Sequence, residues 1–206
     1  MKRVFLLLVL VFTFNTLFAQ KALKILRNDG SITYINASAI NKITFETPLA
    51  IGDTYEGGII FYLDANGEHG LVAAPYDQFN GDGIYWSHTN TTTGATGDGV
   101  GAGEENTNKI VRDQGSWPYA AIICATLTLG GYSDWYLPSK YELNLMYTNL
   151  AQHGLGNFDN STAYWSSTEE SSTEAWYVGF GDPGGPGSYL KTNSYSTFNV
   201  RAVRAF

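Results

Sequence analysis

Apolar residues in this chain come in short runs divided by polar, glycine-rich stretches, and the first run differs from the rest. Val4 to Phe18 is apolar behind Lys2 and Arg3, with Thr13, Asn15 and Thr16 interrupting it and Ala19 closing it. About 20 apolar residues are needed to span a bilayer, so the run reads as a secretory signal cut before Gln20 and not as an anchor. Leu23 to Leu26 and Ser31 to Ile35 then flank Arg27-Asn28-Asp29-Gly30, where Asn, Asp and Gly suit a tight turn, and predict a β-hairpin. Lys42 to Phe45 predicts a third strand. Three short strands cannot bury a core of their own, so residues 20–47 read as a small module that docks elsewhere.

A larger domain is expected over 51–206. Gly57 to Leu63 and Gly70 to Ala74 are strand-like runs on either side of Asn66-Gly67, a hairpin signal. Gly81 to Glu105 holds seven glycines and a Thr91–Thr93 run and reads as a long loop. Helices are expected over Glu104 to Arg112, over Pro118 to Leu127 with Gly130-Gly131 ending it, and over Lys140 to Gln152. The third is the most explicit: Ser139 and Glu142 make a capping box, and Leu143, Met146 and Leu150 repeat at helical spacing. Ala163 to Ser166, Ala175 to Phe180 and Asn199 to Phe206 read as strands, joined by polar loops at Ser166 to Glu174 and Gly181 to Ser196. Strands, then helices, then strands make an α+β domain whose sheet draws on both chain ends. Trp165 and Trp176 fall inside strands and are expected in the core.

Composition narrows what such a domain can do. With 44% hydrophobic, 15% aromatic and only 15% charged residues, the chain can bury a core without stapling. Loss of Lys2 and Arg3 with the signal leaves 10 basic against 19 acidic residues, a net charge of −9. No basic stripe exists for nucleic acid or an anionic membrane, and no membrane-spanning segment is expected in the mature chain. Cys124 is the single cysteine, so an intrachain disulfide is impossible, and its apolar surroundings predict a buried, inert thiol.

Motifs for chemistry are incomplete. Asp64, Asn66 and Glu68 alternate like a calcium loop, but Gly is not sixth and Pro75 stands at position twelve. Gly97 to Ala102 fits G-x-G-x-x-A, with neither a preceding strand nor a βαβ unit to make it a nucleotide site. His69, His88 and His153 lie in different loops, and no nucleophile motif accompanies them. The chain is read as a non-enzyme with neither cofactor nor metal; the less favoured alternative is a carbohydrate-active enzyme using an Asp/Glu pair distant in sequence. Asp134, beside Trp135, is expected as a buried carboxylate accepting backbone N–H bonds.

Four motifs come in a familiar order: Gly57-Gly58-Ile59-Ile60-Phe61-Tyr62-Leu63 with Gly70-Leu71-Val72-Ala73; Asp134-Trp135-Tyr136-Leu137-Pro138-Ser139-Lys140-Tyr141-Glu142-Leu143; Tyr164-Trp165-Ser166-Ser167-Thr168-Glu169; and Val200-Arg201-Ala202-Val203-Arg204-Ala205-Phe206. Together, over Ile51 to Phe206, they resemble the C-terminal domain family of the Legionella collagen-like adhesin. The segment Lys24 to Phe45 resembles the leader module that precedes surface domains in Bacteroidetes proteins. The resemblance implies an exported, secreted or cell-surface bacterial domain with a C-type-lectin-like mixed sheet and two or three helices, related also to formylglycine-enzyme-like domains. This chain lacks the paired cysteines and the Glu-Pro-Asn or Gln-Pro-Asp motif of calcium-dependent lectins. The family's namesake is associated with sulfated glycosaminoglycans, which a charge of −9 would repel unless Lys191, Arg201 and Arg204 gather into a local patch.

Few charges with many Tyr, Gly, Ser, Thr and Asn suit adaptable binding. The expected partner is a glycan or an extracellular protein, recognised through the two C-terminal loops. Tyr189, Tyr195 and Phe198 either stack on a ligand or pack down over their own loop, and Lys191, Glu169 and Glu174 are the polar candidates beside them. A second reading is a structural subunit of a surface assembly, a homo-oligomer joined through the N-terminal hairpin.

Overall fold

A computed structural model describes residues 22–27, 29–42, 47–181, 183–192 and 197–206. The expected signal, and all but Lys42 of the strand expected over Lys42 to Phe45, lie outside the described residues. The chain divides into two compact units at Thr47/Pro48.

The first unit is a hairpin of β1 (Ala22–Leu26) and β2 (Ile32–Asn36), paired antiparallel from Ala22↔Asn36 to Leu26↔Ile32. Its turn closes because Asp29 Oδ1 accepts the Ser31 N–H at 2.8 Å and Gly30 takes a φ of +83°.

The second unit is mixed α+β. Strands β3 (Thr54–Tyr55), β4 (Gly58–Leu63) and β5 (Gly70–Ala73) open it, and helices α1 (Ala102–Gln114), α2 (Ala120–Ala125) and α3 (Lys140–Asn149) follow. Strands β6 (Ala163–Glu169), β7 (Glu174–Gly179), β8 (Gly185–Leu190) and β9 (Val203–Ala205) complete it. A four-stranded antiparallel sheet runs β3-β4-β5-β9, so both chain ends of the unit contribute to it, and a three-stranded sheet runs β6-β7-β8. Strands β4 and β5 are almost continuously apolar because both faces of their sheet are covered. Ile60 and Val72 pack with Ile110, Tyr119, Ala120 and Cys124. Phe61, Leu71 and Val203 pack with Leu143, Met146 and Leu150 of α3 and with Tyr164 and Val178.

The capping box forms: Ser139 Oγ accepts the Glu142 N–H at 3.2 Å, and Glu142 Oε2 accepts the Ser139 N–H at 2.7 Å. Glu142 does more than cap its own helix, since its other oxygen accepts the Gly101 N–H at 2.7 Å ahead of α1. Burial raises its pKa. Gly103 must lack a side chain, because a Cβ there would sit 2.4 Å from Glu142 Oε2.

Several expectations are corrected. Helix α2 begins at Ala120, not Pro118, because Tyr119 is extended (φ −153°) and buries its ring, with its hydroxyl donating to Gly115 O. The stretch expected as loop over Gly81–Glu105 is irregular only as far as Gly101, since α1 already begins at Ala102, and part of it is packed inward: Trp86 is buried and its indole N–H donates to Ser166 O at 2.7 Å. The loop expected at Ser166 to Glu174 is mostly strand, since β6 continues to Glu169 and pairs with Ala175. The loop expected at Gly181 to Ser196 contains β8, held in register by β7. Trp176 is half-buried, not core, and lies under the Lys140 ammonium, which is 4.2 Å from its ring centroid. Cys124, by contrast, is buried as expected, and burial pushes its thiol pKa up.

Candidate binding surface

Polar residues of the C-terminal third turn inward. Lys191 and Glu169, expected on solvent-facing loops, are buried and form an ion pair. The Glu169 carboxylate also accepts the N–H groups of Thr93 and Gly94, both at 2.9 Å. Lys191 Nζ donates to Thr91 O and Ser172 O, each at 3.2 Å, and faces the Trp86 ring. Burial lowers the Lys191 pKa, against the pull of Glu169. The pair pins the Thr-rich segment to the three-stranded sheet, satisfying charges that could not otherwise leave water.

The two arginines of the last motif are placed in the same way. Arg201 donates through Nε to Asp77 Oδ1 at 2.8 Å and through Nη1 to Gly156 O at 2.7 Å and Ala74 O at 3.0 Å. Arg204 holds Asp134 in a fork, 2.8 and 3.0 Å, and reaches Glu56 at 2.8 Å. Asp134 is therefore not the buried acceptor of backbone N–H bonds expected from its motif: its side chain is half exposed, and hydrogen bonding to Arg204 lowers its pKa. Lys191, Arg201 and Arg204 make no basic patch, because each is buried against its own carboxylate.

The remaining cations of this unit are Lys109, Arg112 and Lys140, and they pair with Glu105, Asp113 and Asp98. All six Lys and Arg after Thr47 are thus in ion pairs, against seventeen Asp and Glu, which leaves 6 − 17 = −11 over residues 48–206.

Of the other expected site residues, Glu174 is half-buried and accepts the Ser188 hydroxyl at 3.0 Å. Phe198 is half-buried, with its ring centroid 4.6 Å from Trp165 and 4.8 Å from Tyr177. Tyr189 ends this row, 5.8 Å from Phe198, and is 39% exposed. Tyr195 lies outside the described residues.

Thr197, next to Phe198, leads to an aromatic surface that sequence reasoning missed. Phe79, Gly83, Ile84, Tyr85, His88, Pro118 and Thr197 line an apolar depression of about 220 Å³. Trp117 stands at its edge, 71% exposed, with His88 between it and Tyr85 at ring separations of 6.3 and 5.6 Å. His88 Nε2 lies 2.8 Å from Pro118 O, which ties the two lips together. Phe79, 46% exposed, has a φ of +56°, as does Asn80. A bulky residue in the left-handed region costs about 1–3 kcal/mol and is concentrated at functional sites. The usable signals were a Trp-Pro pair between two helices and an aromatic beside Asn80-Gly81. Neither has a periodicity that separates an exposed ring from a buried one.

A second depression, with a volume of about 560 Å³, is lined by Tyr147, Ala151, Gln152, Asn160, Phe180 and Gly181. Elsewhere, Asp64 Oδ1 is occupied by the N–H groups of Asn66, Glu68 and His69 and caps its own turn. Among the described residues no helix is long and apolar enough to cross a membrane.

Comparison with known proteins adds the family. A fimbrial protein from Bacteroides ovatus has a solved structure similar to this chain at 14% identity and a TM-score of 0.46, over 89% of this chain and 48% of that one. The chain thus spans about half the length of that protein. No curated protein matches it. The model of the Lcl C-terminal domain family matches residues 77–204, more than half of the chain, and the chain belongs to that family.

Proposed function

From its membership of the Lcl C-terminal domain family, we propose that this chain is an exported, adhesin-like binding domain that recognises a glycan or an extracellular protein. The family fits a surface adhesin-like or surface-assembly protein, a secreted or cell-surface location and a non-enzyme. The observation that carries the reading is the cluster of exposed Phe79, Trp117 and His88 with half-buried Tyr85 on a domain whose cations are all paired. Large aromatic side chains exposed together are costly unless something covers them, and aromatics dominate binding hot spots. Recognition through this surface is shape-driven, and added salt should change it little for a neutral ligand.

Tyr189 and Phe198 extend the reading toward the C-terminal residues. Of these Tyr189 is the one a ligand can reach most fully, and Tyr195 belongs with it as a candidate. The test is an unbiased screen of the protein against glycans and extracellular proteins, repeated with Trp117→Ala, Tyr189→Ala and Gln152→Ala. Loss on Trp117→Ala supports the aromatic surface, loss on Gln152→Ala moves the site to the more polar depression, and capture of nothing by the parent protein sinks the reading. Turnover of a captured glycan would replace binding by catalysis.

The surface-assembly alternative has its own observation. Leu26, Ile32 and Tyr34 on the hairpin are 48, 47 and 66% exposed, and a two-stranded hairpin does not stabilise itself in water. A chain that sediments as a monomer with and without residues 21–47 would remove this alternative.

A further inference from the structure

The chemistry of the Phe79–Trp117 depression selects among the ligands of the reading above, on which this inference rests. Its walls are formed by Phe79, Gly83, Ile84, Tyr85, His88, Pro118 and Thr197, the surface they present is almost wholly apolar, and His88 Nε2 is engaged with Pro118 O. A saccharide carries hydroxyl groups around its ring, and a depression with this lining would strip them of water without replacing their hydrogen bonds. At about 220 Å³ it is also smaller than the roughly 300–1,000 Å³ of sites that enclose a whole small molecule, and it suits one inserted side chain.

Charge supplies the second half. The domain carries −11 with all six of its cations committed to ion pairs, so it repels anionic partners and attracts cationic ones. Asp82, exposed one residue after the strained Phe79–Gly81 turn, places a carboxylate beside the lining residue Gly83. We infer that this depression binds an extracellular protein segment that inserts one aromatic or large aliphatic side chain, with Lys or Arg adjacent to it in that segment.

The experiment is selection of random short peptides displayed on phage against the exported chain, followed by titration of the enriched peptides. Trp117→Ala and Phe79→Asn are the control proteins, the second because Asn tolerates the left-handed φ that Phe79 occupies. Unchanged thermal melts establish that both variants fold. Enrichment of an aromatic or large aliphatic residue flanked by Lys or Arg is expected. So is a loss of affinity of about ten-fold or more in each variant, as for hot-spot residues, together with weaker binding at high salt. The inference is overturned by enriched peptides that lack basic residues, by peptides that bind both variants as well as the parent, or by no enrichment. It is overturned equally by neutral oligosaccharides that bind here and are lost with Trp117→Ala, or by a dimer that Trp117→Ala dissolves, since a sugar or a second copy would then be the occupant. A glycan captured through another surface would overturn this inference and leave the adhesin reading standing, whereas a chain that binds neither glycans nor proteins sinks both.

Discussion

The C-terminal strands and the Phe79–Trp117 surface reverse the usual placement of residue types. In the first, Lys191, Glu169, Arg201 and Arg204 are buried; in the second, Trp117 and Phe79 are exposed. Polar groups that face inward have to be satisfied by the fold, and here each cation meets a carboxylate and the Lys191 and Arg201 heads meet backbone carbonyls as well. Aromatic rings that face outward gain nothing from the fold and remain available to a partner. Buried charge in this domain therefore reports on architecture, and the exposed aromatic surface is the part left free for the proposed recognition.

Substitutions in the two regions should separate accordingly. The largest stability loss is expected for Arg201→Ala, which takes the countercharge from Asp77, leaving that carboxylate only the Tyr164 hydroxyl and the Asn199 amide, and unpairs the Arg201-bound carbonyls of Ala74 and Gly156. Breaking a buried pair from one side costs about 3–5 kcal/mol, measurable by urea unfolding. A loss below about 1 kcal/mol would mean that water replaces the guanidinium and that the contrast between the regions is overstated.

Lys191→Met should cost somewhat less, about 2–3 kcal/mol, because Glu169 keeps its bonds from Thr93 and Gly94. The double variant Lys191→Met with Glu169→Gln should regain part of that loss, since no uncompensated charge is left buried. A double variant no more stable than Lys191→Met alone would show that the carboxylate's role is to hold the Thr93–Gly94 backbone, not to neutralise the lysine.

A smaller effect is expected for Asp134→Asn, under about 1 kcal/mol at neutral pH, because this carboxylate is half exposed and screened. Its folded pKa is lowered from 3.8, first by the hydrogen bond from Arg204. The stability it contributes is thus present above 3.8 and is lost as pH falls through the lower folded value. Melts of parent and variant should differ at neutral pH and converge at the acid end of a titration.

The smallest effect on stability belongs to Trp117→Ala, within about 0.5 kcal/mol, since an exposed side chain adds little to the core. Binding, not melting, should register this change. A large destabilisation would make Trp117 a packing residue and move recognition toward Tyr189 or the Gln152 depression.

Local rules made much of the architecture legible. The hairpin turn at Asp29-Gly30, the apolar runs of β4 and β5 and the Ser139/Glu142 box each depend on residues a few positions apart. Strand β8 was not legible because Gly185-Pro186-Gly187-Ser188-Tyr189-Leu190 has no alternating pattern, and it is a strand because β7 pairs with it from Glu174 to Gly179. Nor could the sequence join Lys191 to Glu169 and Thr91, or Arg201 to Asp77 and Gly156, since those contacts cross 22 to 124 positions.

By itself, the sequence determined the α+β class, the acidic balance and the family's ordered motifs, because composition, short-range periodicity and turn chemistry are properties of neighbours along the chain. Only tertiary structure decided which polar residues were consumed by the fold and which aromatics were left in water. Burial is a relation between distant segments: the same Trp is core at position 165 and surface at position 117 because strand β7 and Phe198 cover the first, and the loop joining α1 to α2 leaves the second exposed.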